Sequence, residues 1–251
     1  MQATFLGANG WLLDFGSLRV LVDPWLTGNL AFAPGTWFFE GRLKRPQPVP
    51  ERVDLLLLSQ GLPDHTHAAS LALLPRDLAV IASPTAAARA RQLGFTRVQA
   101  LAPGQDTCFD DPAGGGPLRI RATAGAPVPQ VENGYLLHHP AGCLYLEPHG
   151  YLAADLPAEP LDAVITPVVD LGLPVAGAFV RGRQVLPQLI ERFSPRTILA
   201  SSAGEEVSYA GWLSRMLWKR GSAAEMADRL QADAPGCCLI EPEPGRPYTL
   251  R

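Results

Sequence analysis

The chain has 251 residues, of which 47% are hydrophobic and 18% are charged, and its formal net charge is -3. These values exclude a disordered chain and leave ample apolar material for a buried core. No basic run exceeds a few residues, so we do not expect a nucleic-acid partner. No apolar stretch approaches the roughly 20 residues that span a bilayer. The N-terminus lacks the pattern of a secretory signal, and no cysteines form a C-x-x-C pair, so we expect a cytoplasmic protein with free thiols.

The first half of the chain predicts a β-rich block followed by a β/α block. Four short apolar runs are typical of strands: ATFLG, WLLDF, LRVLVD and VDLLLLS. Residues 24–50, between the last two runs, are rich in Pro, Gly and aromatic residues and predict a long functional loop. Beyond Ser59 we predict a short helix in HAASLALLP with Thr66 at its N-cap, a strand in LAVIAS, and a helix in SPTAAARARQLGF capped by Ser83.

The second half repeats this order. Strands are predicted in RVQAL, LRIRATA, GYLLHHP, CLYLEP, DAVITPV, TILASS and CCLIEP, and a helix in GRQVLPQLIERF. YAGWLSRMLWKRG is also predicted as a helix, with its apolar stripe facing the core. SAAEMADRLQA begins with a capping box of Ser222 and Glu225. This order predicts the α/β class and a single domain over 1–251, an αββα sandwich of two mixed sheets with outer helices.

Side chains that can bind a metal or move a proton follow three of the predicted strands. The run LLLLSQGLPDHTH ends with Asp64 and His65, and LYLEPHG carries Glu147 and His149. Asp23 follows the third strand. Because strand ends of one sandwich meet at shared edges, we expect these side chains to lie together at one edge.

The opening FLGANGWLLDFGSLRVLVDPWLTGN resembles the first hairpin of metallo-β-lactamase-fold hydrolases. It resembles in particular the branch that includes ascorbate-6-phosphate lactonase and the N-acyl-phosphatidylethanolamine phospholipase D enzymes. Those proteins typically read LGHA, an aliphatic strand, and then DP. Here Leu6-Gly7 and Asp23-Pro24 match, while Asn9 stands near the usual His. The resemblance implies that Asp23 supports the metal pair from beneath, although initiation of an Asp-Pro turn is an equally simple role.

The signature of that family, H-x-H-x-D-H, aligns in part with SQGLPDHTH. Gln60 and Leu62 occupy the two His positions of the first metal, whereas Asp64 and His65 keep the pair of the second metal. Further along, the stretch ATAGAP has no His where the family places its third. The resemblance therefore implies that the usual ligand set is incomplete.

The remaining family positions are also changed. Glu147 or His149 stands where the resemblance places a bridging Asp, and Ser201 and Ser202 stand where it places the last His. The resemblance then implies that the chain has no dinuclear centre. It would bind either no metal or one weakly held divalent ion, most simply zinc. Its ligands would be three of the side chains named above: Asp64, His65 and His149.

Three functions remain open from the residues and from what the resemblance implies. The first is a hydrolase of an ester, lactone or phosphodiester with at most one metal ion. The second is a metal-free acid/base enzyme that uses Asp64, His65, Glu147 and His149. The third is an inactive, metal-free module that binds a small molecule or a protein through a lid of aromatic residues from 24–50: Trp25, Trp37 and Phe38. A purely structural alternative has Asp64 cap the following helix and His65 pack under the loop.

Overall fold

A computed structural model describes residues 1–201 and 206–250. The elements of the first half are β1 (Gln2–Gly7), β2 (Gly10–Asp14), β3 (Arg19–Val22), β4 (Asn29–Phe32), β5 (Phe39–Leu43), β6 (Leu55–Leu58), α1 (Ala68–Leu71), β7 (Ala79–Ala82), α2 (Pro84–Gln92), β8 (Arg97–Ala100) and β9 (Asp106–Phe109). The remaining elements are β10 (Leu118–Pro127), β11 (Val131–His139), β12 (Gly142–Leu146), β13 (Ala163–Pro167), β14 (Asp170–Leu173), β15 (Gly177–Arg181), α3 (Gly182–Phe193), β16 (Thr197–Ser201), β17 (Val207–Ala210), a 3-10 helix (Leu213–Met216), β18 (Trp218–Arg220), α4 (Ala223–Asp233), β19 (Cys238–Ile240) and β20 (Pro247–Thr249).

Two seven-stranded mixed sheets form the body of the protein, in the orders β20-β1-β2-β3-β6-β7-β8 and β19-β16-β13-β12-β11-β10-β9. Each combines antiparallel hairpins with a parallel portion, β3-β6-β7-β8 in the first sheet and β12-β13-β16-β19 in the second. The αββα architecture expected from the order of elements is confirmed.

The strand β6 shows how the sequence fixes the layers. All four of its leucines are fully buried. Leu55 and Leu57 pack in the core between the sheets, whereas Leu56 and Leu58 pack under α1 and α2. Successive strand residues point to opposite faces, so an unbroken Leu run suits a strand that is covered on both sides. On the other side of the sandwich, α3 and α4 cover the second sheet in the same way.

The segment 24–50 is not the irregular loop expected from its composition. It contains the antiparallel pair β4 and β5, and β17 extends this pair into a small three-stranded sheet. Phe32 lies opposite Phe39 in the register, with ring centroids 5.3 Å apart, a pairing that stabilises two neighbouring strands. Gly41 lets the strand approach Trp25, because a Cβ there would lie 2.8 Å from that ring.

The helix predicted over 209–221 is wrong. The structure has β17, a 3-10 helix and β18 in its place. Gly211 ends β17 with a φ of +98°, and a Cβ there would lie 2.7 Å from the carbonyl oxygen of Phe38. Trp212, which the helical spacing assigns to the core, is 55% exposed. Strand pairing with β5 therefore overrides the apparent helical period.

Two of the predicted helix caps are confirmed and one is wrong. Ser83 accepts a hydrogen bond from the backbone of α2, and Ser222 does the same for α4. The cap of α1 is His67, not Thr66, and Asp64 does not cap this helix either. None of the helices in the described ranges combines the length and apolar character that crossing a bilayer requires.

Candidate functional site

The polar strand ends converge at one edge of the sandwich. Asp23 follows β3, Asp64 and His65 follow β6, and Glu147 and His149 follow β12. His65 Nδ1 lies 2.7 Å from Asp23 Oδ2, and the ring centroids of His65 and His149 are 5.4 Å apart. The structure thus brings all five sequence-predicted side chains into one cluster.

His65 is held between two carboxylates. Its Nδ1 donates to Asp23 (2.7 Å), and its Nε2 lies 3.5 Å from Asp64 Oδ2. The ring is completely buried. Burial alone would lower the pKa of His65, but the charges of Asp64 and Asp23 and the hydrogen bond to Asp23 outweigh it and raise that pKa to about 9. The two carboxylates therefore favour the protonated form of His65.

Hydrogen bonds from Ser59 hold the Asp23 carboxylate in place beside His65. Asp23 Oδ1 accepts the backbone N–H of Ser59 (2.8 Å), and the Ser59 hydroxyl donates to the other carboxylate oxygen. Asp23 has a φ of +40°, a conformation that Asp and Asn tolerate better than most residues. These contacts hold the Asp23 carboxylate against His65, and its expected role of supporting a metal pair from beneath stays a prediction. Ser59 was not among the predicted site residues, and only its position at the end of β6 could have indicated it.

Asn9 completes the contacts of Asp64 and His65. Its Nδ2 donates to Asp64 Oδ2 (3.3 Å) and lies 3.1 Å from His65 Nε2. A neutral His65 would accept this second contact, whereas a protonated His65 directs its Nε2–H towards Asp64. The residue at the usual family His position thus interacts with the retained Asp-His pair.

His149 is engaged by Gln60. The amide Nε2 of Gln60 donates to His149 Nδ1 at 3.0 Å. Burial, together with the positive charge of His65, lowers the pKa of His149 to about 3, so its ring is neutral at pH 7. With Nδ1 accepting, the ring carries its proton on Nε2. Gln60 therefore selects the tautomer of the imidazole.

Glu147 stabilises a turn of the backbone. Its two oxygens accept the N–H groups of Ala126 (3.3 Å), His149 (3.0 Å) and Tyr151 (2.7 Å). Burial raises the pKa of Glu147 to about 7 against the opposing effect of these hydrogen bonds. The contact between Glu147 and His149 thus runs through the backbone, and the imidazole receives its orientation from Gln60.

These donors do not fit a two-metal centre. Gln60 is hydrogen-bonded to His149, Leu62 offers no ligand atom, and both ring nitrogens of His65 face groups of the network. Within 1–201 and 206–250, no group of three or more His, Cys, Asp or Glu side chains is arranged to hold a metal ion. Catalytic zinc normally keeps three protein ligands. A single ion on Asp64, His65 and His149 stays a prediction, and Ser202 lies outside the described residues.

A cavity of about 770 Å³ opens above this cluster, with Asn9, Asp64 and His149 among its lining residues. Half of its lining residues come from the small sheet β4-β5-β17, from a second three-stranded sheet, β15-β14-β18, and from the 3-10 helix. Seven aromatic side chains line it: Trp25, Phe32, Phe38, Phe39, Phe179, Tyr209 and Trp218.

The three predicted lid residues differ in their positions. Trp25 is buried and lines the cavity, and Phe38 lines it as well. Trp37 is 67% exposed and packs on Phe38, with ring centroids 5.9 Å apart. On the opposite side, Leu171 and Phe179 come from the β14-β15 hairpin, which no sequence pattern predicted.

The chain belongs to the β-lactamase superfamily domain family, whose model matches residues 2–201. The fold and the strand-end position of the cluster agree with this membership. A search of curated protein sequences finds no match. Because the family model stops at residue 201, the single domain over 1–251 stays a prediction.

Several solved structures share the whole fold at low sequence identity. One is an isothiocyanate hydrolase from gut bacteria of Delia radicum (TM-score 0.73, 17% identity), aligned over 100% of this chain and 99% of that chain. A possible metal-dependent hydrolase from Veillonella parvula has a TM-score of 0.71 and 15% identity over 100% and 99%. A metallo hydrolase from Ignicoccus hospitalis has a TM-score of 0.64 and 15% identity over the same shares. At such identities the likeness shows the metallo-β-lactamase fold.

Proposed function

We propose that this protein binds a small, largely apolar molecule in the cavity above Asp64 and His149, without the two-metal centre of metallo-β-lactamase-fold hydrolases. The observation that carries the proposal is the cavity. Its volume of about 770 Å³ lies within the range of small-molecule sites. Its wall is mainly aromatic and aliphatic, and Asn9, Asp64 and His149 form a polar floor at one side of it, the pattern by which such sites fix the orientation of a ligand.

The network beneath the cavity supports binding without metal. Asp23, His65 and Ser59 satisfy one another by hydrogen bonds, and Gln60 occupies one nitrogen of His149. The hydrogen bonds that join Asp23, Ser59 and His65 make this part of the network rigid. It can therefore serve as a fixed floor for a ligand.

A hydrolase-like function with one weakly bound divalent ion is the second candidate. The observation that favours it is that Asp64 and His149 both line the cavity. The names of the similar structures, an isothiocyanate hydrolase and metal-dependent or metallo hydrolases, also support hydrolytic chemistry on this fold. For this second candidate we propose an ester, lactone or phosphodiester as the substrate. We also propose membership of the lactonase and phospholipase D branch. Both proposals require evidence of metal binding first.

Filling the cavity should weaken ligand binding. Leu213 lines the cavity and is only partly exposed, so Leu213→Trp places a larger ring in the space that a ligand needs. We expect the affinity for the neutral dye Nile red to fall about tenfold or more, which corresponds to about 1.4 kcal/mol. The measurement is a fluorescence titration at constant protein concentration.

The matched control is Leu73→Trp, which adds the same ring at a leucine that is 50% exposed and outside the cavity. This variant should bind Nile red as the original protein does. Equal affinities for the dye in all three proteins, or no binding by any of them, would reject the cavity as the ligand site.

A further inference from the structure

The floor of the cavity carries an excess of negative charge. One imidazole, that of His65, lies between two carboxylates, Asp23 and Asp64, so even a protonated ring balances only one of them. No Lys or Arg of the described residues forms an ion pair with any of these carboxylates. Should His65 lose its proton, the excess becomes larger. The cluster therefore lacks at least one positive charge in either state of the imidazole.

The same region has more hydrogen-bond acceptors than donors. Three buried oxygens have no hydrogen-bond partner within the part of the chain that the structure describes: Gln60 Oε1, Asp64 Oδ1 and Ser201 Oγ. Gln60 and Ser201 are each 1% exposed. Buried polar groups are normally paired, and of these three residues Asp64 lines the large cavity, so its unpaired carboxylate oxygen can accept a hydrogen bond from a ligand there.

Ser201 faces a second, small void beneath the cavity. This void has a volume of about 10 Å³ and is lined by Asn9, Glu147 and Ser201 among others, and it shares Asn9 and Pro148 with the large cavity. The void is of the size that one small polar group occupies. The carboxylate of Glu147 and the hydroxyl of Ser201 thus belong to residues that line the void below the floor of the large cavity.

We infer that the ligand carries a primary ammonium group, which lies at Asp64 on the floor of the cavity, at the end of an apolar body. An ammonium group has three N–H donors and one positive charge. It can therefore donate a hydrogen bond to the unpaired oxygen of Asp64 and also balance the excess negative charge of the floor. The aromatic wall suits the apolar body and also attracts a cation through the faces of its rings. This inference rests on the proposed binding function and specifies its ligand class.

The charges elsewhere on the cavity wall do not alter the position of the ammonium group. Lys44 and Lys219 also line the cavity, but both are exposed and thus belong to its solvent side. Glu206, which is half-buried, accepts the backbone N–H of Ala8 at 3.1 Å. Screening by water weakens exposed charges, whereas the buried floor retains its field.

The test compares three probes with the same apolar body: phenylbutylamine, phenylbutanol and phenylbutyrate. Binding to the intact protein is measured by titration calorimetry at pH 7. We expect the amine to bind about tenfold or more tighter than the alcohol, as for a hydrogen bond to a charged group, and the carboxylate to bind most weakly. In Asp64→Asn the preference for the amine over the alcohol should fall to about twofold or less, while the affinity for the alcohol changes little.

Asp155→Asn is the control for net charge, because this carboxylate is 69% exposed and lies outside the cavity. It should leave the preference for the amine unchanged. Equal binding of amine and alcohol by the original protein would overturn the inference and leave the binding function intact, and so would a preference that persists in Asp64→Asn. Failure of all three probes to bind would overturn both, and the probe series decides the matter even if Asp64→Asn does not fold.

Discussion

Replacing Asp23 with Asn should lower the free energy of unfolding by about 3 to 5 kcal/mol, the usual cost of removing one partner from a buried ion pair. Asp23 and His65 are both fully buried, and 2.7 Å separates Oδ2 from Nδ1. Asn keeps the shape of the side chain and tolerates the φ of +40° at this position, so the loss reflects charge and not backbone strain. Urea denaturation followed by tryptophan fluorescence measures the change.

The matched control for this substitution is Asp14→Asn. Asp14 pairs with Arg19 at 3.0 Å, and both side chains are partly exposed. Surface pairs of this kind contribute about 1 kcal/mol or less. A loss at Asp23 no greater than the loss at Asp14 would mean that His65 does not depend on a buried counterion.

Stability should fall as the pH rises from about 6.5 to about 9. The folded pKa of His65 is raised to about 9, above the usual value of 6.5, so the folded state binds the proton more tightly than the unfolded state. This contribution is fully present below 6.5 and is lost as the pH passes through the folded pKa. The interval corresponds to about 3 kcal/mol. Urea denaturation at a series of pH values measures it.

Two other buried groups, Glu147 and His149, change the stability at lower pH, and they do so in opposite directions. The raised pKa of Glu147, about 7, removes stability as the pH rises from 4.5 to 7. The lowered pKa of His149, about 3, removes stability as the pH falls from 6.5 to 3. The change in stability between pH 7 and pH 9 is therefore due mainly to His65, and His65→Gln should flatten the profile there. An unchanged slope in this variant would show that other groups produce it.

Most of the sandwich could be predicted because its strands are apolar runs with clear ends. The helix predicted from GRQVLPQLIERF matches α3, Gly182–Phe193, and the caps Ser83 and Ser222 lie where their sequence patterns place them. The failures lie in segments whose conformation depends on distant partners. Tyr209 pairs with Gly41 across 168 positions of the sequence, and no local period records such a pairing.

The residues of the candidate site could also be predicted from the sequence only in part. Asp23, Asp64, His65, Glu147 and His149 could be found because side chains of that chemistry follow buried strands. The contacts of Asp23 with His65 and of Gln60 with His149 could not be predicted, because each depends on the meeting of two separate loops. In the same way the wall of the cavity joins β5, β14 and β17, which are far apart in the chain.

The metal content of the protein tests the central claim most directly, namely that the floor of the cavity is a hydrogen-bonded network in place of a two-metal centre. The protein would be purified without chelator, incubated with excess zinc, desalted and subjected to elemental analysis. We expect less than one zinc per chain, and a melting temperature that a strong chelator leaves unchanged, because too few ligands remain for tight binding. Two zinc ions per chain, lost on chelation together with a fall in melting temperature, would contradict the account.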